Sequence, residues 1–125
     1  MAQVLVVDDG EATAELARVV LSDAGYQVTV VSDGASALEG LTSIRPDVIL
    51  LDMSMPQMSG PEFLEAYRRI SEPRPPVIAV SAERRFAYLY RVGELKADAF
   101  LAKPYNLQEL LDCVKKYAGS ASSAE

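Results

Sequence analysis

Three uninterrupted apolar runs, Val4-Leu-Val-Val7, Val48-Ile-Leu-Leu51 and Val77-Ile-Ala-Val80, constrain the fold of this chain more than any other feature. Each is short and rich in β-branched residues, and reads as a buried strand. Between them lie amphipathic stretches. The periodicity predicts a helix over Glu11–Asp23, with Leu16, Val19 and Val20 on one face and Gly25 ending it. Gln27–Val31 reads as a strand, Ala35–Ser43 as a short helix after Asp33-Gly34, and Asp47–Leu51 as a strand. Gly60–Ile70 is helical, with Phe63, Leu64, Tyr67 and Ile70 spaced to face a core, and Pro73, Pro75 and Pro76 break the chain. Val77–Val80 is a strand, Glu83–Leu95 a helix, Ala99–Ala102 a short strand and Asn106–Tyr117 a last helix. That helix carries the stripe Leu107, Leu110, Leu111 and Val114, and Asn106 suits its N-cap, with Glu109 three residues on.

Strands alternating with helices predict an α/β fold: a doubly wound parallel sheet of five strands covered by five helices. Right-handed crossovers put the C-terminal ends of the strands on one edge, where ligands bind such sheets. The 125 residues fit one domain, over 1–118, followed by a small polar tail over 119–125 that is expected to be mobile. Net charge is −6, from 18 acids against 12 bases, which argues against a nucleic-acid interface. A single cysteine, Cys113, excludes an internal disulfide. There is no histidine, so imidazole chemistry must come from elsewhere. No apolar stretch approaches the roughly 20 residues that a membrane helix needs, and a cytoplasmic location is expected.

The polar residues fall where this fold predicts a ligand. The first strand ends in Asp8-Asp9, the third in Asp52, the fourth in Ser81-Ala82 and the fifth in Lys103-Pro104. Taken singly, Asp9 or Ser81 could cap a helix and Asp52 could begin a turn. Four independent caps do not explain a lysine ending the fifth strand or the doubled acid ending the first. Three carboxylates that close tolerate one another only with a cation among them, or if one has a chemical job. The chemistry that fits is Mg²⁺-dependent phosphoryl transfer, with Mn²⁺ able to substitute. Asp9 and Asp52 supply carboxylates, Asp8 orients a bound water, Lys103 offers a point charge and Ser81 a hydroxyl. Asp52, alone opposite the pair, is the best nucleophile and would form an acyl phosphate.

The chain resembles the receiver domain of two-component response regulators. The motifs that carry the resemblance are Val-Val-Asp8-Asp9, Leu-Leu-Asp52-Met-Ser-Met-Pro56-Gln-Met-Ser-Gly60, Val80-Ser81-Ala82 and Phe100-Leu-Ala-Lys103-Pro104. The resemblance implies a flavodoxin-like strand order 2-1-3-4-5. It also implies a phosphorylation-activated switch whose phospho-acceptor is Asp52. The donor is a histidine on a partner kinase or phosphotransfer protein. The metal site comprises Asp8, Asp9, Asp52 and the main-chain carbonyl of Ser54. Ala82 leaves the phosphate pocket open, the Lys103-Pro104 peptide is cis, and Pro56 and Gly60 shape the loop after the third strand. On phosphorylation Ser81 moves toward the site and Phe100 fills the vacated space. The signal leaves through helix four, strand five and helix five, to a downstream protein or a fused output domain. Ser54 and Glu83 flank the pocket at positions that tune phosphate lifetime.

The sequence departs from the family pattern at three places. Phe100 lacks the hydroxyl that many relatives carry there. Lys96-Ala97-Asp98 stands where Gly-Ala is usual, which implies strain or a different helix ending. Helix four is rich in arginine and aromatics; Phe86 and Tyr90 suit inward packing, and Tyr88, Leu89 and the arginines suit an exposed partner surface. Two other functions fit less of the pattern. An aspartate-nucleophile phosphohydrolase needs a second acid two residues after the nucleophile, where Ser54 stands. A docking module that accepts no phosphate leaves the set Asp8, Asp9, Asp52, Ser81 and Lys103 unexplained. The domain is therefore expected to be no enzyme beyond phosphorylating itself from a donor and slowly losing the group. A homodimer is neither required nor excluded by the sequence.

Overall fold

A computed structural model describes residues 2–55, 58–70 and 74–119. Pro56, Pro73 and the tail beyond Gly119 lie outside the described residues. Five strands form one parallel sheet: β1 (Gln3–Val7), β2 (Gln27–Val31), β3 (Val48–Asp52), β4 (Val77–Ser81) and β5 (Ala99–Ala102). Their spatial order is 2-1-3-4-5, as the family resemblance implies. Five helices connect or follow them: α1 (Glu11–Asp23), α2 (Gly34–Ile44), α3 (Gly60–Tyr67), α4 (Arg84–Arg91) and α5 (Leu107–Ala118).

The apolar runs are explained by the two cores they separate. Successive side chains of a strand point to opposite faces. On one face Val4, Val6, Val48, Leu50, Ile78 and Val80 pack with Ala17 and Leu21 of α1 and with Leu110 and Val114 of α5. On the other, Leu5, Val7, Ile49, Leu51, Val77 and Ala79 pack with Ala37 of α2, Phe63, Leu64 and Tyr67 of α3, and Phe86 of α4. The outer strand β2 is only partly covered. That is why its sequence reads less cleanly.

Several boundaries and faces differ from the sequence expectation. In α1 the buried positions are Ala14, Ala17 and Leu21, while Leu16 and Val19 are exposed. Val20 does pack partly against the core, beside the fully buried Leu21, but two of the buried positions are alanines, so ranking side chains by bulk misplaces Leu16 and Val19. Strand β3 takes in Asp52 and leaves out Asp47. Asp47 instead pairs with Gln3, accepting from its N–H at 2.7 Å through the carboxylate and donating its own N–H to the Gln3 carbonyl. Helix α3 stops at Tyr67, whose hydroxyl donates to the Pro75 carbonyl at 2.6 Å, and Ile70 is left exposed. Leu107, at the first turn of α5, is exposed as well. Asn106 does cap α5 in a reciprocal box with Glu109.

Helix α4 ends at Arg91, not at Leu95, because Gly93 turns the chain with φ +82°. The N–H groups of Glu94 and Leu95 both donate to the Leu89 carbonyl, and Leu95 then re-enters the core. The left-handed exit is thus made before Lys96, whose own backbone has no positive φ. This is the different ending, and it requires no strain at lysine.

Gly60 opens α3 directly beneath β3. Its N–H donates to the Met53 carbonyl at 3.1 Å, and a Cβ there would come 2.6 Å from the Met53 Cα. The obstacle is backbone, so a side chain cannot simply rotate away. Gly60→Ala is expected to destabilise the domain by about 1–3 kcal/mol through overpacking. Denaturant unfolding monitored by circular dichroism measures this; an unchanged midpoint would refute the close-approach argument.

Candidate functional site

The parallel registers bring all four polar strand ends to one edge. Val7 pairs with Leu51, Asp52 with Val80 and Ser81 with Ala102, so Asp8, Asp9, Asp52, Ser81 and Lys103 emerge side by side. One oxygen from each of Asp8, Asp9 and Asp52 can be chosen so that all three lie within 4.8 Å of one another. Asp52 is 8% exposed, Asp8 is half-buried and Asp9 faces solvent.

Each acid is held differently. Asp8 is oriented by the start of α1: Oδ1 accepts from the Gly10 N–H and Oδ2 from the Thr13 hydroxyl, both at 2.8 Å. Gly10, not Asp9, takes the N-cap position, which leaves the Asp9 carboxylate out of the helix start. Asp52 Oδ1 accepts from the Ser54 N–H at 3.1 Å and faces Lys103 Nζ at 3.9 Å. Burial raises the Asp52 carboxyl above the ordinary aspartate value, with a smaller push from the negative Asp8, while the Ser54 N–H and Lys103 pull it back. A small cavity of about 10 Å³ lies between Asp8, Asp52, Lys103 and Tyr105, large enough for about one water.

Lys103 is placed by backbone. Its N–H donates to the Ser81 carbonyl at 2.9 Å, continuing the β4–β5 ladder past the end of β5, and its peptide to Pro104 is cis, as expected. Ser81 is 2% exposed, and its hydroxyl accepts from the Glu83 N–H at 2.9 Å. Ala82 is exposed beside it. Glu83 reaches across the mouth of the site: one carboxylate oxygen accepts from the Ser54 hydroxyl at 2.7 Å and the other meets Arg85 at 3.0 Å. This bridge joins the loop after β3 to the loop after β4.

Phe100 on β5 is half-buried and lies away from the carboxylates, stacked on Tyr90 of α4 with ring centroids 6.0 Å apart. The hydroxyls of Tyr90 and of Tyr117 on α5 both donate to the Asp98 carbonyl, at 3.2 and 3.0 Å. Asp98 is itself fixed to Val77, whose N–H donates to the Asp98 carboxylate and whose carbonyl accepts its N–H. Sequence reasoning missed Thr13, Tyr105 and this tyrosine clasp. Thr13 lies five residues after the acid it orients, and only the turn at Gly10 brings them together.

The sequence model for the response regulator receiver domain matches residues 4–115. The chain belongs to that family. It is 36% identical to sporulation initiation phosphotransferase F of Bacillus subtilis strain 168 over 115 residues, which cover 92% of each chain. It is 38% identical to the response regulator MprA of Mycobacterium ulcerans over 109 residues, 87% of this chain but 47% of that protein. This receiver domain therefore spans about half the length of the mycobacterial regulators it matches. Among solved structures, the receiver domain of the sensor histidine kinase PA1611 from Pseudomonas aeruginosa, with a magnesium ion coordinated in its active-site cleft, superposes with a TM-score of 0.83. It is 28% identical, over 95% of this chain and 98% of that one.

The donor set suits a hard divalent cation. Three converging carboxylates, no histidine or thiolate among them, and one acid open to solvent match an ion that keeps several waters. Without a cation, the ionised Asp52 carboxylate is disfavoured in the folded domain, so its ionisation reduces stability as pH rises through the ordinary aspartate range toward the raised folded value. In metal-free buffer Asp52→Asn is therefore expected to melt higher than the parent at neutral pH, with the difference vanishing in acid below that range. Adding Mg²⁺ should raise the parent melting temperature and leave the asparagine variant nearly unmoved. Calorimetry across pH, with and without Mg²⁺, measures both; a parent that ignores Mg²⁺ would count against the cation site.

Proposed function

We propose that this receiver domain is a phosphorylation-activated signalling switch in which Asp52 accepts a phosphoryl group from a histidine on a partner kinase or phosphotransfer protein. The observation that carries this reading is the convergence of Asp8, Asp9 and Asp52 with Lys103 Nζ 3.9 Å from Asp52 Oδ1. These 125 residues contain no histidine, so such a donor lies outside this domain.

Asp8, Asp9, Asp52 and the Ser54 main-chain carbonyl would hold Mg²⁺ or Mn²⁺. When bound, the cation neutralises charge on the incoming phosphoryl group. The chain's own residues do the rest. Asp52 presents its carboxylate oxygen, kept in orientation by the Ser54 N–H, and attacks phosphorus as the bond to the donor nitrogen breaks. Lys103 supplies a positive charge to one phosphoryl oxygen and the Ser81 hydroxyl donates to another. Asp8 stays fixed on Gly10 and Thr13, and so keeps its position while charge moves beside it. Glu83 and Ser54 close one side of the mouth and govern how water reaches the phosphoryl group, and Ala82 leaves the approach open.

The phosphoryl group adds charge of about −1.5 to −2 and new acceptors next to Ser81. Ser81 turns toward it, and Phe100 follows into the space left behind. The stack of Phe100 on Tyr90, and the shared carbonyl under Tyr90 and Tyr117, support a route from that motion to α4 and α5. The α4–β5–α5 face is the read-out surface, for a separate protein, a homodimer partner or a fused output domain. The domain itself binds neither nucleic acid nor membrane; among the described residues no helix is long and apolar enough to cross one. It acts in the cytoplasm. The domain covers residues 1–118, with 119–125 as a tail.

Incubation with Mg²⁺ and acetyl phosphate is expected to add the mass of one phosphoryl group to the parent and none to Asp52→Asn. Catalytic turnover of small phosphate esters would instead indicate a phosphohydrolase, and no mass gain a docking module. Ser81→Ala is expected to accept the group but show weakened shifts at α4 and α5 in amide spectra; a full response in that variant would overturn the serine's role.

A further inference from the structure

Gly10 is a glycine that neither its backbone nor the helix after it requires. Its φ of −84° and ψ of 115° are extended values open to any residue. At the N-cap of α1 it makes no side-chain hydrogen bond, where serine, threonine, aspartate or asparagine would accept a backbone N–H. The reason for it lies in the space beside it. A Cβ at position 10 would stand 2.7 Å from the Thr13 hydroxyl oxygen and 3.3 Å from Asp8 Oδ1, against both groups at once. Thr13, the third residue of α1, turns its hydroxyl back toward the strand end. It donates to Asp8 Oδ2 at 2.8 Å, with the Gly10 carbonyl at 3.1 Å as the alternative acceptor, and the charged acceptor is the closer one. The Gly10 N–H donates to Asp8 Oδ1 at 2.8 Å. Both oxygens of Asp8 are therefore held from the first turn of α1, and the carboxylate has one orientation. A methyl group at position 10 would drive the threonine hydroxyl into another rotamer, away from Asp8.

We infer that Gly10 and Thr13 act as one positioning pair that fixes the Asp8 carboxylate for a divalent cation. The inference rests on the cation site proposed above and assigns part of its affinity to two uncharged residues outside the ligand set. Partners that orient a metal-binding carboxylate are worth a large share of a site's affinity, because a group already in place gives up less freedom when the ion arrives. The two donors also draw charge from Asp8, which eases its repulsion with Asp9 and Asp52 before any cation is bound. Thr13 acts through its hydroxyl. Gly10 acts through its N–H and, at one remove, by leaving empty the volume in which that hydroxyl works. The pair is thus a single device, and a change at either position has the same consequence for Asp8.

The test titrates the isotope-labelled domain with Mg²⁺, read by calorimetry and by the amide shifts of residues 8–10 and 52–54. Thr13→Ala is expected to lose about tenfold in Mg²⁺ affinity, the scale for removing a partner of a metal-binding carboxylate. Thr13→Ser keeps the hydroxyl and should bind as the parent does. Gly10→Ala leaves Asp8, Thr13 and the N–H at position 10 in place, yet should lose about as much as Thr13→Ala. The double variant Gly10→Ala, Thr13→Ala should lose no more than either change alone, since both remove the same contact. In the metal-free domain the carboxyl-carbon signal of Asp8 should shift alike in the two single alanine variants and stay put in Thr13→Ser. Full Mg²⁺ affinity in Thr13→Ala would overturn the inference, and so would losses at the two positions that add in the double variant. A serine variant as weak as the alanine one would also overturn it, because the hydroxyl would then be irrelevant. A parent that takes up no Mg²⁺ would remove the cation site and the inference with it, a result distinct from a parent that binds the ion as tightly as Thr13→Ala.

Discussion

Mutual repulsion among Asp8, Asp9 and Asp52 is the interaction around which this domain is arranged. Three carboxylates with oxygens within 4.8 Å of one another do not assemble by their own attraction. They are driven together by a sheet whose central strands are buried on both faces, so that the favourable burial of Val4–Val7, Val48–Leu51 and Val77–Val80 outweighs the electrostatic cost at the strand ends. The strain is local and is partly relieved by neighbours. Gly10 and Thr13 satisfy Asp8, the Ser54 N–H and Lys103 offset the burial of Asp52, and Asp9 remains hydrated. In the proposed function such a site takes up a cation and then an anion, because each relieves the charge the previous state left behind.

The same economy of parts links the site to a distant face. Ser81 ends β4 and, through its carbonyl, holds the backbone of Lys103; through its hydroxyl it holds the turn at Glu83. Glu83 ties that turn to Ser54 and to Arg85 at the start of α4. Phe100, two residues before the end of β5, leans on Tyr90 in α4. A hydroxyl on Phe100 is unnecessary for this contact. Tyr90 and Tyr117 supply hydroxyls nearby, both seated on a carbonyl whose position Val77 fixes. In the proposed function, a small displacement of Ser81 therefore meets packed elements with few alternative arrangements, which is how a local charge change becomes a discrete shift of a surface.

The family and its fold were legible from short motifs because strands that are buried on both sides must be apolar, and because the residues after them are free to be polar. The strand ends Asp8-Asp9, Asp52, Ser81 and Lys103 stood out for that reason. Helix faces were less legible. Leu16 and Val19 attract attention by size, yet Ala14 and Ala17 are the buried positions and Ala17 packs with the strand residues, since a helix lying close needs small side chains at its point of contact. The short α4 was misjudged because Leu95 continues the apolar pattern, while Gly93 ends the helix and sends Leu95 back to the core from a turn.

Sequence alone determined the alternation of strands and helices, the chemistry available at the strand ends and the lack of any imidazole among these 125 residues, because these depend on residue type and spacing along the chain. Tertiary structure decided which oxygens meet: that Thr13 orients Asp8, that Ser54 reaches Glu83 and that two tyrosines from different helices share one carbonyl. Those contacts join segments far apart in the chain or across a sharp turn. Their geometry is set by the packing of helices onto the sheet, a collective property that no local pattern of residues encodes.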